Sequence, residues 1–218
     1  MNLFSRLTDT SDRHLAAKIS TLVSVVINII MSTLQVFIGL WANSQALIAD
    51  GIHSLSDLVS DFVVLIAAHH SRADPDDKHP YGHGRFETAA SMVIGLLLLA
   101  VGIGMLWSAA QKIQSPALIP TVHPIALGVA CLSLVAKEGL FRYMLYVAQK
   151  IKSSLLIANA WHARSDAASS LVVGVGVIGN MLGYPFLDPL AAMLVGFMIV
   201  KMGWSFSYAA LNDLMDHG

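Results

Sequence analysis

Six long apolar stretches, separated by short polar loops, are the feature that most restricts how this chain can fold. They run at 19–40, 46–68, 88–110, 125–148, 155–182 and 187–208. Each has about the 20 apolar residues that a helix needs to cross the hydrocarbon core of a bilayer. A segment inside lipid must satisfy its own backbone hydrogen bonds, and the sequence shows none of the short alternating strands of a barrel. We therefore predict an all-α membrane protein, a bundle of six transmembrane helices.

Composition agrees with a lipid environment and excludes several classes of protein. Charged residues make up 12% of the 218 residues, about half the ~25% share of an ordinary soluble domain. The net charge of −1 gives no reason to expect a nucleic-acid partner. A single cysteine, Cys131, excludes an internal disulfide and a cysteine-based metal cage.

Basic residues are concentrated in alternate loops, and this sets the expected orientation. The N-terminal segment and the loops after the second and fourth spans hold Arg6, Arg13, Lys18, Arg72, Lys78, Arg85, Arg142, Lys150 and Lys152. The other loops hold only Lys112. Both termini are therefore predicted to be cytoplasmic. We expect a cytoplasmic segment at 1–14, a six-helix transmembrane domain at 15–210 and a short cytoplasmic tail at 211–218.

Two of the six spans carry ionisable side chains in the same His-x-x-x-Asp pattern. The second span contains His53 and Asp57, and the fifth contains His162 and Asp166. Positions i and i+4 of a helix lie on one face, about 6 Å apart. At a rise of about 1.5 Å per residue, each His lies about 10 Å and each Asp about 16 Å from the start of its span. Because the two helices run in opposite directions, all four side chains are predicted to converge near the bilayer midplane.

Two imidazoles and two carboxylates suit a tetrahedral divalent ion of the zinc type, and the carboxylates neutralise its two charges. A single intramembrane His or Asp is often a satisfied packing residue. An aspartate in hydrocarbon nevertheless costs about 2.5–3.5 kcal/mol, and packing gives no reason for two of them at matched depth. We interpret the four residues as a metal site. Asp50, one turn before His53, is a candidate for orienting that imidazole.

A second group of histidines lies in the loop after the second span. The loop reads Asp-Lys-His-Pro-Tyr-Gly-His-Gly at 77–84. His79 and His83 could bind another metal ion together with Asp76 or Asp77. A solvated loop that forms tight turns explains the same composition, and spacing alone leaves both interpretations open.

Four sequence runs together resemble the transmembrane domain of the cation diffusion facilitator family. They are Ala-Asp-Gly-Ile-His-Ser-Leu-Ser-Asp at 49–57, Asp-Lys-His-Pro-Tyr-Gly-His-Gly-Arg-Phe-Glu at 77–87, Lys-Glu-Gly-Leu-Phe-Arg-Tyr at 137–143 and Asn-Ala-Trp-His-Ala-Arg-Ser-Asp at 159–166. The resemblance covers nearly the whole chain. It implies a homodimeric membrane transporter, not an enzyme, that exports divalent metals in exchange for protons and needs no organic cofactor.

The resemblance also implies roles for the candidate residues. It places a central transport site on His53, Asp57, His162 and Asp166, and a secondary cytoplasmic loop site on Asp76, His79 and His83. Members selective for zinc often have a histidine at the position of His53. Zinc is therefore the expected substrate, with cadmium, cobalt, iron and manganese as alternatives.

Typical members of this family continue after the sixth span into a cytoplasmic α/β domain that binds metal and holds the dimer together. This sequence ends at Gly218, just after the sixth span. It leaves open whether the chain is a short member or a piece of a longer protein, so we carry over no dimerisation or regulation through that domain. The expected location is the bacterial inner (plasma) membrane.

Three alternative functions are considered. A passive metal channel would differ from a transporter only in lacking proton coupling. A haem electron carrier with two histidine ligands would not need Asp57 and Asp166. An intramembrane metalloprotease would require a motif such as His-Glu-x-x-His, which does not occur in the sequence.

Overall fold

The computed structural model describes residues 10–70, 85–115, 119–152 and 154–216, which contain six α-helices and no strand. The helices are α1 (Thr10–Ala42), α2 (Gln45–His70), α3 (Arg85–Gln114), α4 (Ile125–Lys150), α5 (Ser154–Met181) and α6 (Leu187–Asp216). Each apolar stretch of the sequence lies on one of these helices, with α5 ending one residue before the predicted stretch does. The predicted all-helical, six-helix architecture is confirmed. The cytoplasmic placement of both termini stays a prediction.

Polar and apolar side chains are distributed in the opposite way to those of a soluble protein. Large apolar side chains face outward, and Phe37 and Val135 are 68% and 69% exposed. Charged side chains such as Asp50 and Lys137 are fully buried. Within the described ranges, Leu15–Ala42, Thr88–Gln114 and Leu187–Met215 are long and apolar enough to cross a membrane. A lipid solvent accounts for this arrangement, because it accepts apolar side chains on the outside.

Helices α1, α2, α4 and α5 form a four-helix group in which α4 packs against α5 and α1 packs against both α2 and α4. Helices α3 and α6 form a pair, and this pair contacts the group through α2 and α5. The two His-x-x-x-Asp patterns lie on α2 and α5, which also contact each other. The fold therefore brings the two patterns to adjacent helices.

The start of α2 is fixed by a carboxylate from α6. Asn43 has a φ of 59°, the left-handed conformation that commonly ends a helix such as α1. Asp188, in the first turn of α6, accepts hydrogen bonds from Ser44 Oγ at 2.6 Å and from the Gln45 backbone N–H at 2.7 Å. A negative charge is favourable at this end because the first amides of a helix lack intrahelical partners. The helix that carries His53 is thus anchored at its first residue.

Glycines allow α3 and α6 to approach closely. A Cβ atom placed on Gly102 would lie 2.9 Å from the backbone nitrogen of Val200, and one on Gly203 would lie 2.7 Å from that of Leu99. Contacts this short are not tolerated without movement of the backbone. Small residues at such positions are typical of tightly packed membrane helices.

Gly102→Ala is expected to destabilise the α3–α6 pair by about 1–3 kcal/mol, the usual cost of overpacking. Gly104 lies on the same helix, and a Cβ atom placed on it would have no neighbouring atom within 4 Å, so Gly104→Ala is expected to be neutral or slightly stabilising. Thermal unfolding of the purified protein in detergent compares the two variants. Equal unfolding temperatures would contradict the role assigned to Gly102.

Candidate metal centre

Three ligand-type side chains from α2 and α5 meet in the interior of the protein. One potential ligand atom from each of His53, Asp57 and Asp166 lies within 4.8 Å of the other two. His53 and Asp57 are one turn apart on α2, and His53 Nε2 is 3.8 Å from Asp57 Oδ2. His53 is only 6% exposed, whereas the two aspartates are partly exposed. The His-x-x-x-Asp patterns of α2 and α5 therefore place three of their four side chains in one cluster.

The geometry and chemistry of the cluster fit a divalent cation. Ligands that bind zinc at about 2.0–2.2 Å in tetrahedral geometry are roughly 3.4 Å apart, so the three atoms need only a small inward movement. His53 Nδ1 is buried and has no hydrogen-bond partner among the described residues, an arrangement that is costly for a polar atom. Two carboxylates held this close also repel unless a cation or a proton separates them. A bound cation would remove the repulsion between the carboxylates.

His162, the fourth predicted ligand, lies beside the cluster and outside it. It lines a cavity of about 60 Å³ together with Asp57 and Asp166, and His162 itself is exposed. This volume accommodates a few water molecules, so a metal ion could enter with part of its hydration shell. The structure thus brings three of the four predicted ligands together and places the fourth on the wall of the adjoining cavity.

Helix α1 contributes a polar wall to the same cavity. Thr21, Ser24 and Asn28 line it, and their spacing of three and four residues places them on one helix face. Their hydroxyl and amide oxygens can replace water around an entering cation. These residues were not among the predicted ligands, although a polar stripe at helical spacing in an apolar span was a usable signal.

Asp50 has different neighbours from those expected. Its carboxylate accepts hydrogen bonds from Ser169 Oγ at 2.8 Å and Ser170 Oγ at 2.6 Å, and it pairs with Lys137 Nζ at 3.3 Å. No hydrogen bond joins it to Nδ1 of His53. The structure therefore does not support the prediction that Asp50 orients the imidazole of His53 directly, because the carboxylate is turned toward α4 and α5.

Lys137 on α4 is a buried charged residue that was not among the predicted site residues. It is 1% exposed, and Asp50 is its ion-pair partner. A lysine well inside an apolar span is costly in lipid unless it is paired, so the sequence did contain a signal. The partner, however, lies 87 positions away in the chain, and only the fold reveals it.

The sequence from residue 21 to residue 215 matches the family described as the Cation efflux transmembrane domain. The chain belongs to this cation efflux family. The resemblance to the cation diffusion facilitators is thereby confirmed. Membership places the chain among cation efflux transmembrane domains.

Named relatives of this cation efflux protein come from plants, archaea and bacteria. The chain is 40% identical over 200 residues to Metal tolerance protein C1 of Arabidopsis thaliana, covering 85% of this chain and 42% of the relative. It is 40% identical over 193 residues to an uncharacterized transporter of Methanocaldococcus jannaschii, covering 88% of this chain and 68% of the relative. It is 32% identical over 213 residues to Manganese efflux system protein MneP of Bacillus subtilis, covering 94% of this chain and 71% of the relative. The chain therefore spans only part of the length of each relative.

The loop site predicted for the cation efflux protein lies outside the described residues. Asp76, His79 and His83 belong to the range 71–84, which separates α2 from α3. Metal binding by this loop stays a prediction.

Proposed function

We propose that this chain moves a divalent transition metal out of the cytoplasm in exchange for protons, with zinc as the preferred substrate. The observation that carries the proposal is the cluster of His53, Asp57 and Asp166, whose ligand atoms lie within 4.8 Å of one another. Support comes from the family, whose described domain is a cation efflux domain. A relative named for metal tolerance supports the same class of substrate.

The donor set supports zinc. Rotation of the His162 side chain across the cavity would complete a set of two imidazoles and two carboxylates, which suits tetrahedral zinc. The two carboxylates of Asp57 and Asp166 would neutralise both charges of the ion, so the loaded site carries no net charge in a medium of low dielectric constant. Imidazole nitrogen favours zinc over harder ions such as manganese.

The shape of the interior supports transport by alternating access. The cavity wall includes Thr21 near the start of α1 and Leu58, which follows Asp57 on α2. On the opposite side of the cluster, the buried side chains of Asp50, Lys137 and Ser170 fill the space between the helices. With the N-terminus in the cytoplasm, this cavity would open inward and the far side would be closed. The transported ion would load from the cytoplasm in this state and leave after the far side opens.

The expected homodimer and the location in the bacterial inner membrane belong to this proposal. The membrane location is supported by membership in a family of transmembrane domains, and the bacterial inner membrane by the bacterial relatives. The homodimer is an expectation from the family resemblance. A haem carrier accounts for the cluster less well, because it has no use for the two carboxylates. A passive channel could use the same cluster and differs from the proposed transporter only in lacking proton coupling.

Manganese is the second candidate substrate. Two Bacillus subtilis relatives, MneP and MneS, are named manganese efflux system proteins and are 32% and 33% identical to this chain. Manganese prefers oxygen ligands, and Asn28 of α1 adds an amide oxygen to the cavity that already contains two carboxylates.

Uptake of zinc and of manganese into proteoliposomes that contain the full chain tests the proposal. The wild-type protein is expected to prefer zinc. His53→Asp replaces a nitrogen ligand by oxygen and adds negative charge, so it should shift the preference toward manganese by about tenfold, equivalent to ~1.4 kcal/mol. His123→Asp is the matched control, since His123 is exposed and lies before α4.

Selectivity that is the same in wild-type protein and in His53→Asp would show that His53 does not contact the metal. Uptake of neither metal by the wild-type protein would refute the proposed function itself.

A further inference from the structure

A second buried polar cluster lies about one helical turn from the metal site, and all four helices of the central group contribute to it. Its centre is the carboxylate of Asp50, which is fully buried. The donors to this carboxylate are Gln35 Nε2 of α1, Lys137 Nζ of α4, and Ser169 Oγ and Ser170 Oγ of α5. Both oxygens of Asp50 are therefore satisfied within the cluster, so Asp50 is not available as a metal ligand.

Lys137 connects this cluster to the helices that carry the metal ligands. Its Nζ atom lies 3.3 Å from both carboxylate oxygens of Asp50 and 3.4 Å from the backbone oxygen of Asp166. The Ser169 hydroxyl lies 2.7 Å from the same backbone oxygen, and its single hydrogen is shared between this oxygen and Asp50 Oδ1. Asp50 itself precedes the ligand His53 by three residues, which is close to one turn of α2. The ammonium group of Lys137 thus contacts the backbone of the ligand Asp166 and the side chain of Asp50, which lies about one turn before the ligand His53.

Stability alone does not explain a buried ion pair at this place. Replacing such a pair with well-packed apolar residues is often neutral or stabilising, whereas removing one partner leaves an uncompensated charge. The charges of Lys137 and Asp50 cancel, so the cluster is neutral as a unit. Without the carboxylate, a bare ammonium would lie close to a site that must hold a doubly charged cation. Repulsion of that kind is strong because the interior screens charges weakly.

We propose that Asp50 is a positioning residue for the metal site, which neutralises Lys137 and fixes it between α2 and α5. In this role Asp50 protects the bound cation from an uncompensated positive charge. The inference rests on the proposed function, because it requires a cation at His53, Asp57 and Asp166.

The proposal makes a prediction that depends on the sign of the charge. Asp50→Asn leaves the ammonium of Lys137 without compensation, so the apparent Michaelis constant for zinc should rise about tenfold or more. Lys137→Gln leaves a negative charge instead and should not raise this constant. The double variant restores neutrality, and its constant should return to within about threefold of the wild-type value.

Zinc uptake by proteoliposomes gives the Michaelis constant and the maximal rate, and calorimetric titration of the purified protein with zinc gives the affinity directly. Glu138→Gln is the matched control, because Glu138 is the next residue on α4 and forms an exposed pair with Arg142 at 2.9 Å. It should leave both quantities unchanged. If Lys137→Gln does not fold, Lys137→Arg and Asp50→Glu keep both charges. They should then bind zinc more tightly than Asp50→Asn does.

Wild-type zinc affinity in Asp50→Asn would overturn the proposal. So would a double variant that binds zinc no better than Asp50→Asn does, since a merely structural role predicts that the two losses accumulate. Absence of zinc binding by the wild-type protein would refute the proposed function instead, so the two failures are distinguishable.

Discussion

Replacing Asp57 or Asp166 with alanine is expected to abolish metal transport while leaving the protein folded in the membrane. Each carboxylate supplies one of the two negative charges that face the cation, and one ligand atom from each lies within the 4.8 Å cluster. Removing one partner of a desolvated charge pair costs ~2–5 kcal/mol, so transport should fall at least about 30-fold, at ~1.4 kcal/mol for each factor of ten. Folding should not suffer, because truncation relieves the repulsion between the two carboxylates.

Proteoliposome uptake measures the loss of transport, and thermal unfolding with and without zinc provides an independent measurement. A ligand that binds only the folded state raises the unfolding temperature, so zinc should stabilise the wild-type protein and neither variant. Asp213→Ala is the control, since Asp213 is an exposed aspartate near the end of α6. Transport at the wild-type rate by Asp57→Ala or Asp166→Ala would show that this cluster is not the transport site.

The six helices could be predicted from the sequence because lipid imposes a minimum apolar length on each span. Helix ends were predicted less accurately. Helix α1 begins at Thr10 and α6 continues to Asp216, beyond the apolar stretches at 19–40 and 187–208. Polar residues can continue a helix outside the hydrocarbon core, so the limits of apolar composition are not the limits of the helix.

The candidate site could be predicted in part because the i, i+4 spacing is a local property of a helix. Spacing placed His53 and Asp57 on one face of α2, and the structure confirms their proximity. The position of His162 on the cavity wall could not be predicted, because it depends on its side-chain rotamer and on the tilt of α5 against α2. Neither quantity is encoded in the spacing.

The cluster around Asp50 shows a second limit of reasoning from sequence. Its side chains come from four helices, and Asp50 and Lys137 are 87 positions apart. A polar residue in an apolar span signals that it needs a partner, but the signal does not identify the partner. For this reason Asp50 was assigned to the nearest imidazole in the sequence, whereas the fold gives it an ammonium group and two hydroxyl groups.

Transport is expected to exchange metal for protons, so acidifying the loading face alone should raise the apparent Michaelis constant for zinc. Imidazole and carboxylate groups bind metal only when deprotonated, so protons and zinc compete for the same lone pairs. Acidifying the loading face from about pH 7.5 to about pH 5.5 should therefore raise the constant several-fold. An inward proton gradient should correspondingly drive zinc out of the cytoplasm.

The measurement is zinc flux through oriented vesicles that contain a pH-sensitive dye, with the pH set separately on each face. Asp57→Ala vesicles are the control for proton leakage, because the proposed site in that variant has lost a ligand. A transporter of this kind should show proton movement opposite to zinc movement, and collapse of the pH gradient should stop zinc accumulation against its own gradient. A channel would behave differently, because zinc would move down its gradient without opposing proton movement and acidification would leave the apparent affinity unchanged. That result would favour the passive channel, and it would leave the cluster of His53, Asp57 and Asp166 as a binding site along its path.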